Sequence, residues 1–163
     1  MGDGGGSGDG LLGAYHQTTV GPGGRPRPVP RTIAWVEAGT SAQGPVPAAE
    51  VWERYADPAR WSGWAPQTRR VGTTAARIAA GVTGTVHGPP GVGFAFVVTA
   101  VDEAARTWDR DVRWGPTRLH LRHGVEARPD GCSTWLTTRG PALVLMAYLP
   151  VARLALHRLV HSA

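Results

Sequence analysis

The stretch VGFAFVVTAVDEAARTWDRDVRWGPTRLHLRHGVEARPDGCSTWLTTR, residues 92–139, alternates apolar and polar side chains over most of its length. Turn-forming residues interrupt it at Asp102-Glu103, at Gly115-Pro116 and at Pro129-Asp130-Gly131. A period of two is typical of strands, and short links between consecutive strands imply antiparallel pairing. The stretch therefore predicts an antiparallel meander with strands at 92–101, 105–114, 117–127 and 132–139.

The residues before this stretch predict three more strands and two short helices. The period of two begins near residue 68 and predicts strands at 68–73 and 80–87, and Arg31–Ala38 (RTIAWVEA) predicts the first strand. The following GTSAQGP is expected to be a loop. Between these strands, VPAAEVWERYADP predicts a helix beginning near Pro47, and PARWSGW predicts a second helical turn.

The last segment, PALVLMAYLPVARLALHRLVHSA (141–163), predicts one long helix kinked at Pro150. Its polar face carries Arg153, His157 and His161 at intervals of four. The opposite face is expected to pack on the sheet through Leu145, Tyr148, Ala152, Ala155 and Leu159. We therefore predict an α+β fold in which a curved seven-stranded antiparallel sheet wraps around this helix and leaves a cavity beside it.

Composition divides the chain into two parts and limits its function. Residues 1–30, rich in Gly and Pro, predict a disordered leader, and residues 31–163 predict one domain. The net charge is +5, but all 17 basic residues are dispersed arginines, so no nucleic-acid partner is expected. The lone Cys132 excludes an internal disulfide and favours a cytoplasmic location. The apolar run Pro141–Ala152 is too short to span a membrane, so no transmembrane segment is expected.

Several motifs resemble those of the SRPBCC superfamily, the START-like helix-grip proteins that include polyketide cyclases/dehydrases and lipid-transfer domains. The resemblance covers about residues 31–160 and rests on VWERYADPARWSGWAP (51–66), GVTG (81–84), FVVTAVDEAARTWDRDVRW (96–114) and HGVEARPDGCSTWLTTRGP (123–141). It implies a helix-grip fold with an internal pocket for an apolar molecule and no cofactor. Because the superfamily holds both enzymes and carriers, it does not choose between them.

Four polar residues are predicted to face this pocket and are the candidate catalytic groups. His123 shares a strand face with Leu121. On the neighbouring strand, Arg110 shares a face with Trp108 and Trp114. Tyr55 and Tyr148 lie on the inner faces of the first and last helices. Each residue also has a structural interpretation: a histidine bonded to a backbone carbonyl, an arginine paired with a nearby acid, or a tyrosine that only packs.

The predicted ligand-binding wall is apolar and largely aromatic, although ordinary core packing would explain the same residues. It comprises Val51, Trp61, Trp64, Phe94, Phe96, Trp108, Trp114, Leu121 and Leu145. Asp109, Asp111, His157 and His161 are expected to face solvent, and no metal site is predicted.

The sequence thus predicts a protein that binds an apolar small molecule, whether aromatic, polyketide-like or lipid. Two interpretations of that binding stay open: a cofactor-free polyketide cyclase/dehydratase, acting as a lyase or isomerase, or a non-catalytic carrier. A third class is a basic membrane-surface or nucleic-acid binder that uses Arg69-Arg70 and the C-terminal helix. We expect a monomer or a homodimer.

Overall fold

The computed structural model describes residues 34–89 and 91–162, so the leader predicted over residues 1–30 lies outside the described part. Within these residues, seven strands form one antiparallel sheet in the order β1-β7-β6-β5-β4-β3-β2. The strands are β1 (Trp35–Gly44), β2 (Arg70–Gly72), β3 (Thr83–His87), β4 (Gly93–Asp102), β5 (Thr107–Trp114), β6 (Thr117–Arg128) and β7 (Gly131–Pro141). The helices are α1 (Ala48–Ala56), α2 (Trp61–Trp64) and α3 (Ala142–His161), with a short 3₁₀ turn (Pro58–Arg60) before α2.

This element order confirms the predicted α+β helix-grip fold. Two short helices follow the first strand, a meander follows them, and the long helix closes the chain. Pro47 and Pro141 immediately precede α1 and α3, where a proline costs no intrahelical hydrogen bond.

The first strand differs from its prediction. The segment expected to be a loop, from Gly39 onward, continues β1 as far as Gly44, while residues 31–33 lie outside the described part. Ten residues of β1 pair with β7, from Trp35 opposite Pro141 to Gly44 opposite Cys132. Small polar residues have little intrinsic strand preference, but the long partner strand supplies hydrogen bonds that override it. The strands predicted at 68–73 and 80–87 are also shorter, at three and five residues.

The core lies between the inner face of the sheet and α3. The side chains of β6 and β7 alternate in burial, as a sheet covered on one face requires. From α3, the buried residues that pack over β1, β7 and the two short helices are Leu145, Ala152, Ala155, Leu156, Leu159 and Val160.

The buried guanidinium of Arg54 ties α1 to the end of α3. Its Nη1 donates to the carbonyl oxygens of Leu159, at 2.9 Å, and Ser162, at 2.7 Å. The Leu159 carbonyl belongs to the last turn of α3, and Ser162 follows the helix directly. At this end the helix itself supplies no donors and carries a partial negative charge. The end of β1 also reaches this turn, because the Val46 N–H donates to the Val160 carbonyl at 3.3 Å.

A second cluster holds the other side of α1. Arg77 pairs with Glu53 of α1 at 2.8 Å and with Glu103 of the β4–β5 turn at 2.9 Å. The Trp52 indole N–H donates to Glu103 at 2.6 Å. The hydrogen bonds from Arg77, and then from Trp52, hold the pKa of Glu103 below its usual value. The helix is thereby fixed to both the long helix and the sheet.

By length and composition α3 could cross a membrane, although the apolar run counted from the sequence was shorter. It has 20 residues and a mean hydropathy of 1.5 over its most apolar window, of which 33% is buried. In this fold the helix packs on the sheet, and much of its surface remains exposed.

We expect Arg54→Met to lower the free energy of unfolding by about 2–3 kcal/mol. The change leaves buried carbonyl groups of α3 without their charged donor, and hydrogen bonds to charged groups contribute about 1.5–3 kcal/mol each. Urea unfolding followed by circular dichroism measures the effect.

Arg60→Met is the matched control for this measurement. Arg60 pairs with Glu50 of α1, and the side chains of Arg60 and Glu50 are each 40% exposed. Its loss should cost less than about 1 kcal/mol, the scale of exposed ion pairs. Equal losses in the two variants would show that the bonds from Arg54 to α3 contribute nothing.

Candidate functional site

A small, partly open cavity lies between α2, the sheet and α3. Its volume is about 20 Å³, enough for about one water molecule. It is lined by Trp61, Trp64, Ala65, Gln67, Thr68, Arg110, His123, Leu136, Tyr148, Ala152, Ala155 and Leu156. Because most of these residues are apolar, the few polar groups among them define what the cavity can bind.

Strand parity brings the two central polar groups together. Arg110 on β5 and His123 on β6 lie on the inner faces of neighbouring strands, where Trp108 is directly opposite His123 in the register. Arg110 is 9% exposed and His123 is 3% exposed. Asp109 and Asp111 point the other way, as expected, towards Arg122 and His120 on the outer face.

Arg110 is a buried cation held by aromatic rings. Its guanidinium carbon lies 4.9 Å from the centre of the Trp61 ring and 5.1 Å from that of Trp108. Among the described residues no carboxylate pairs with it, and its Nε has no hydrogen-bond partner. Burial therefore lowers the pKa of Arg110 below its usual value, an effect that the neighbouring Tyr148 and Tyr55 partly oppose. Aromatic faces attract a cation but do not neutralise its charge.

His123 is held flat against Trp108, with ring centres 4.3 Å apart and planes at 11°. Its Nδ1 has no hydrogen-bond partner within the described residues. Burial, and then the positive charge of Arg110, hold the pKa of His123 well below its usual value of 6.5. The imidazole is therefore neutral at physiological pH and available to accept a proton or a hydrogen bond.

The two tyrosines have different surroundings. Tyr148 lines the cavity beside Arg110, and burial raises the pKa of its hydroxyl, an effect partly offset by Arg110. Tyr55 is fully buried, and its hydroxyl lies 2.9 Å from Thr134 Oγ1, which itself donates to the Gly124 carbonyl at 3.0 Å. The Tyr55 hydroxyl therefore donates its hydrogen to Thr134 inside the core. Tyr55 does not line the cavity.

Three further buried polar atoms near this region have no partner in the described part of the chain: Gln67 Oε1, Trp108 Nε1 and Thr138 Oγ1. Gln67 lines the cavity, and neither it nor Thr138 was singled out from the sequence. The alternation of β7, which buries Thr134, Leu136 and Thr138, was a usable signal for Thr138. Gln67 lies in a turn after α2, where no periodicity indicates which way a side chain points.

The predicted wall residues divide into three groups. Trp61 and Trp64 line the cavity, whereas Val51, Phe96, Trp108, Leu121 and Leu145 are buried around it in the core. Phe96 and Trp108 both pack on Trp61, with ring centres 5.4 Å apart in each pair. Phe94 is half-buried and packs on Trp114. Trp114 is 55% exposed because the last residues of β5 extend beyond the covered face, so it lies outside the cavity.

His157 and His161 are exposed on α3, where their rings stack with centres 4.1 Å apart. The His161 Nδ1 lies 2.9 Å from the carbonyl of His157, so the pair is engaged with its own helix. In residues 34–89 and 91–162 there is no group of three His, Cys, Asp or Glu side chains arranged to bind a metal ion.

The fold and the cavity together define a helix-grip protein, and comparison with solved structures agrees, with 205 matching chains. Ara h 8.0201 superposes with a TM-score of 0.59 at 12% identity, over 75% of this chain and 95% of that one. The di-domain ARO/CYC BexL from the BE-7585A biosynthetic pathway gives a TM-score of 0.65 at 18% identity, over 77% of this chain. This chain covers 45% of the length of BexL.

Both structures have helix-grip folds of the SRPBCC type, which confirms the fold that the sequence motifs implied. At such low identity the likeness shows the fold alone. No protein-family model matches the chain. No curated protein matches it either.

The buried neutral imidazole of His123 should make stability depend on pH. In the unfolded chain a histidine takes up a proton near pH 6.5, whereas His123 in the folded domain stays neutral well below that pH. The contribution of the neutral imidazole to the free energy of unfolding is therefore complete above pH 6.5. It is lost as the pH falls below that value. We expect His123→Phe, which keeps the ring stacking, to reduce the stability loss between pH 6.5 and pH 5.

Urea unfolding at several pH values measures this slope. His157→Phe removes an imidazole at an exposed position and should keep the wild-type slope. If His123→Phe kept the full slope as well, His123 would have to take up its proton in the folded domain over the same pH range as in the unfolded chain.

Proposed function

We propose that the domain binds an apolar small molecule that carries one anionic or strongly electron-rich oxygen, in the space between the sheet and α3. The observation that supports this most is the Arg110 guanidinium, buried beside the cavity without a carboxylate among the described residues. A buried cation costs folding free energy unless an anion or several acceptors meet it. A carboxylate, enolate or phenolate on a ligand would supply that partner.

The remaining groups suit the same ligand. Trp61 and Trp64 give the cavity flat apolar walls, and the Tyr148 hydroxyl lies beside Arg110. Trp108 Nε1 and His123 Nδ1 are buried polar atoms without partners in the described chain, which is unusual in a core that contributes only to stability. The two helix-grip neighbours support the proposal through the shared fold alone, and one of them is the di-domain ARO/CYC BexL.

The cavity must open before it admits a molecule with a ring, because about 20 Å³ holds only about one water. Four of its lining residues, Tyr148, Ala152, Ala155 and Leu156, belong to α3. Pro150 removes one backbone hydrogen bond from the helix at this level and weakens the turn that would have to move. We therefore assign the opening to α3.

Arg110→Met should separate ligand binding from stability. The variant keeps the apolar stem and removes the charge, so the free energy of unfolding of the ligand-free domain should rise by about 1 kcal/mol. Its affinity for anilinonaphthalene sulfonate, an apolar anion, should fall at least about tenfold, the scale of a charge-assisted hydrogen bond. Uncharged phenylnaphthylamine should bind the variant within about threefold of the wild type. Fluorescence titration measures both affinities, and urea unfolding measures stability.

Arg113→Met is the matched control, because Arg113 lies on the same strand but is exposed. It should change neither the affinity for the anion nor the stability by a measurable amount. If Arg110→Met bound the anion as tightly as the wild type, Arg110 would not be the anion site. Native mass spectrometry of the purified protein would then identify the class of any ligand that co-purifies.

A second candidate function is a cofactor-free cyclisation, supported by the neutral imidazole beside the buried cation. In this reaction His123 takes a proton from the carbon between two carbonyl groups of a poly-β-ketone. The resulting enolate carbon forms a bond with a second carbonyl carbon, whose oxygen takes the negative charge beside Arg110 and is then protonated. That bond closes the ring. Loss of water then forms a carbon–carbon double bond in it: Tyr148 is positioned to pass a proton to the departing hydroxyl, and His123 takes the proton from the adjacent ring carbon.

His123→Phe tests the cyclase against the carrier. With a poly-β-ketone thioester as substrate, turnover should fall about a hundredfold or more, since a general base contributes that scale. The affinity for phenylnaphthylamine should change little, because the stacking on Trp108 is retained. Unchanged turnover, or no turnover in the wild type, would leave binding as the function.

A further inference from the structure

The outer face of α3 is apolar and exposed along more than half of its length. We call this the outer stripe: Leu143, Met146, Ala147, Pro150, Val151 and Leu154. Leu143 is 81% exposed and Met146 is 71% exposed, far more than a helix packed only for stability requires. The spacing of these residues places them on the side of the helix opposite the cavity.

The start of β1 lies beside the start of α3 and exposes two apolar residues. Trp35 pairs with Pro141 at the start of α3, and the Ala142 N–H donates to the Ala34 carbonyl at 3.2 Å. Trp35 is 57% exposed and Val36 is 39% exposed. Strand alternation places the two side chains on opposite faces of the sheet: Val36 is opposite the buried Gly140, on the face that α3 covers, and Trp35 is on the other face.

Charge indicates what covers the stripe. From residue 142 to the end of the chain there is no Asp or Glu, whereas Arg153, His157, Arg158 and His161 follow or flank the stripe. All four are exposed. At the other end, Glu37 of β1 is 3.5 Å from Arg139, so that pair is locally neutral. A second copy of α3 would bring no carboxylate to Arg153 and Arg158, whereas an anionic surface would bring complementary charge to both.

We propose that the outer face of α3 docks on a membrane that contains anionic lipids. The outer stripe enters the apolar edge of the headgroup region, with the helix lying in the plane of the surface. Arg153 and Arg158 contact the anionic headgroups. This proposal does not depend on the ligand, so it can fail while the proposed function stands.

Co-sedimentation of the full chain with lipid vesicles tests it. Vesicles of phosphatidylcholine mixed with phosphatidylglycerol should bind the protein more tightly than vesicles of phosphatidylcholine alone, and added salt should weaken the difference. The combined variant Leu143→Gln/Met146→Gln/Leu154→Gln should bind at least about tenfold more weakly, because its apolar side chains no longer leave water. Trp114→Gln, at an exposed apolar residue on β5, should bind like the wild type.

A second pair of variants tests the charge. Arg153→Gln/Arg158→Gln should weaken binding to the mixed vesicles by about fivefold per arginine. Arg69→Gln/Arg70→Gln removes the same charge at exposed residues beside β2 and should change binding by less than about twofold. Circular dichroism checks that each variant is folded.

Three results would overturn the proposal: no sedimentation with either vesicle, equal losses in the two arginine variants, or a glutamine variant of the stripe that binds like the wild type. Light scattering identifies the rival occupant. A wild-type dimer that becomes a monomer in the stripe variant, with no vesicle binding in either, would assign the surface to a second copy of this chain.

Discussion

The hydrogen bonds from Arg54 to the C-terminal end of α3, together with the buried apolar residues of that helix, hold one side of it against the sheet. They anchor the helix at its C-terminal end, while the direct step from β7 into Pro141 anchors its start. With both ends fixed, the helix cannot rotate to bury its outer face. Tyr148 and Ala152 must then face the cavity, and Leu143 and Met146 must face away from it. The cavity and the exposed stripe are consequences of the same constraint.

A second constraint is the charge placed on the inner face of the sheet. Arg110 and His123 occupy positions that an ordinary core would give to aliphatic residues. Around them, aromatic rings replace aliphatic packing: Trp61 and Trp108 lie against the guanidinium, and Trp108 lies against the imidazole. Such an arrangement tolerates a cation without neutralising it, because a ring face offers electron density but no negative charge. The domain thus gives up some stability at the place where a ligand would restore it.

Much of this arrangement could be predicted from the sequence, because apolar and polar residues recur along the strands and along α3 with the periods of those structures. Alternation on β5 and β6 placed Arg110 and His123 inward, and the helical phase of α3 separated Leu145 and Ala152 from His157. The extension of β1 to Gly44 was missed because it depends on pairing with β7, which no local pattern reveals. The engagement of Tyr55 with Thr134 and the inward position of Gln67 were missed for the same reason: each depends on contacts between residues distant in sequence.

The size of the cavity could not be predicted from the sequence either. It matters because it determines whether a ligand can enter without a movement of the protein. Fold type implies a void beside the helix, but side-chain volumes decide how much of it remains, and here about 20 Å³ remains. A binding protein with so little preformed space must move one wall, at a cost in packing that the ligand has to offset. The wall with the fewest constraints is the middle of α3, because Pro150 interrupts its hydrogen bonds and one side of it is exposed within the described part of the chain. If that side rests on a membrane, an apolar molecule leaving the bilayer needs to pass only one helix diameter, about 10 Å, to reach Arg110. The lipid would then cover the exposed stripe while the helix is open, so opening would not expose further apolar surface to water.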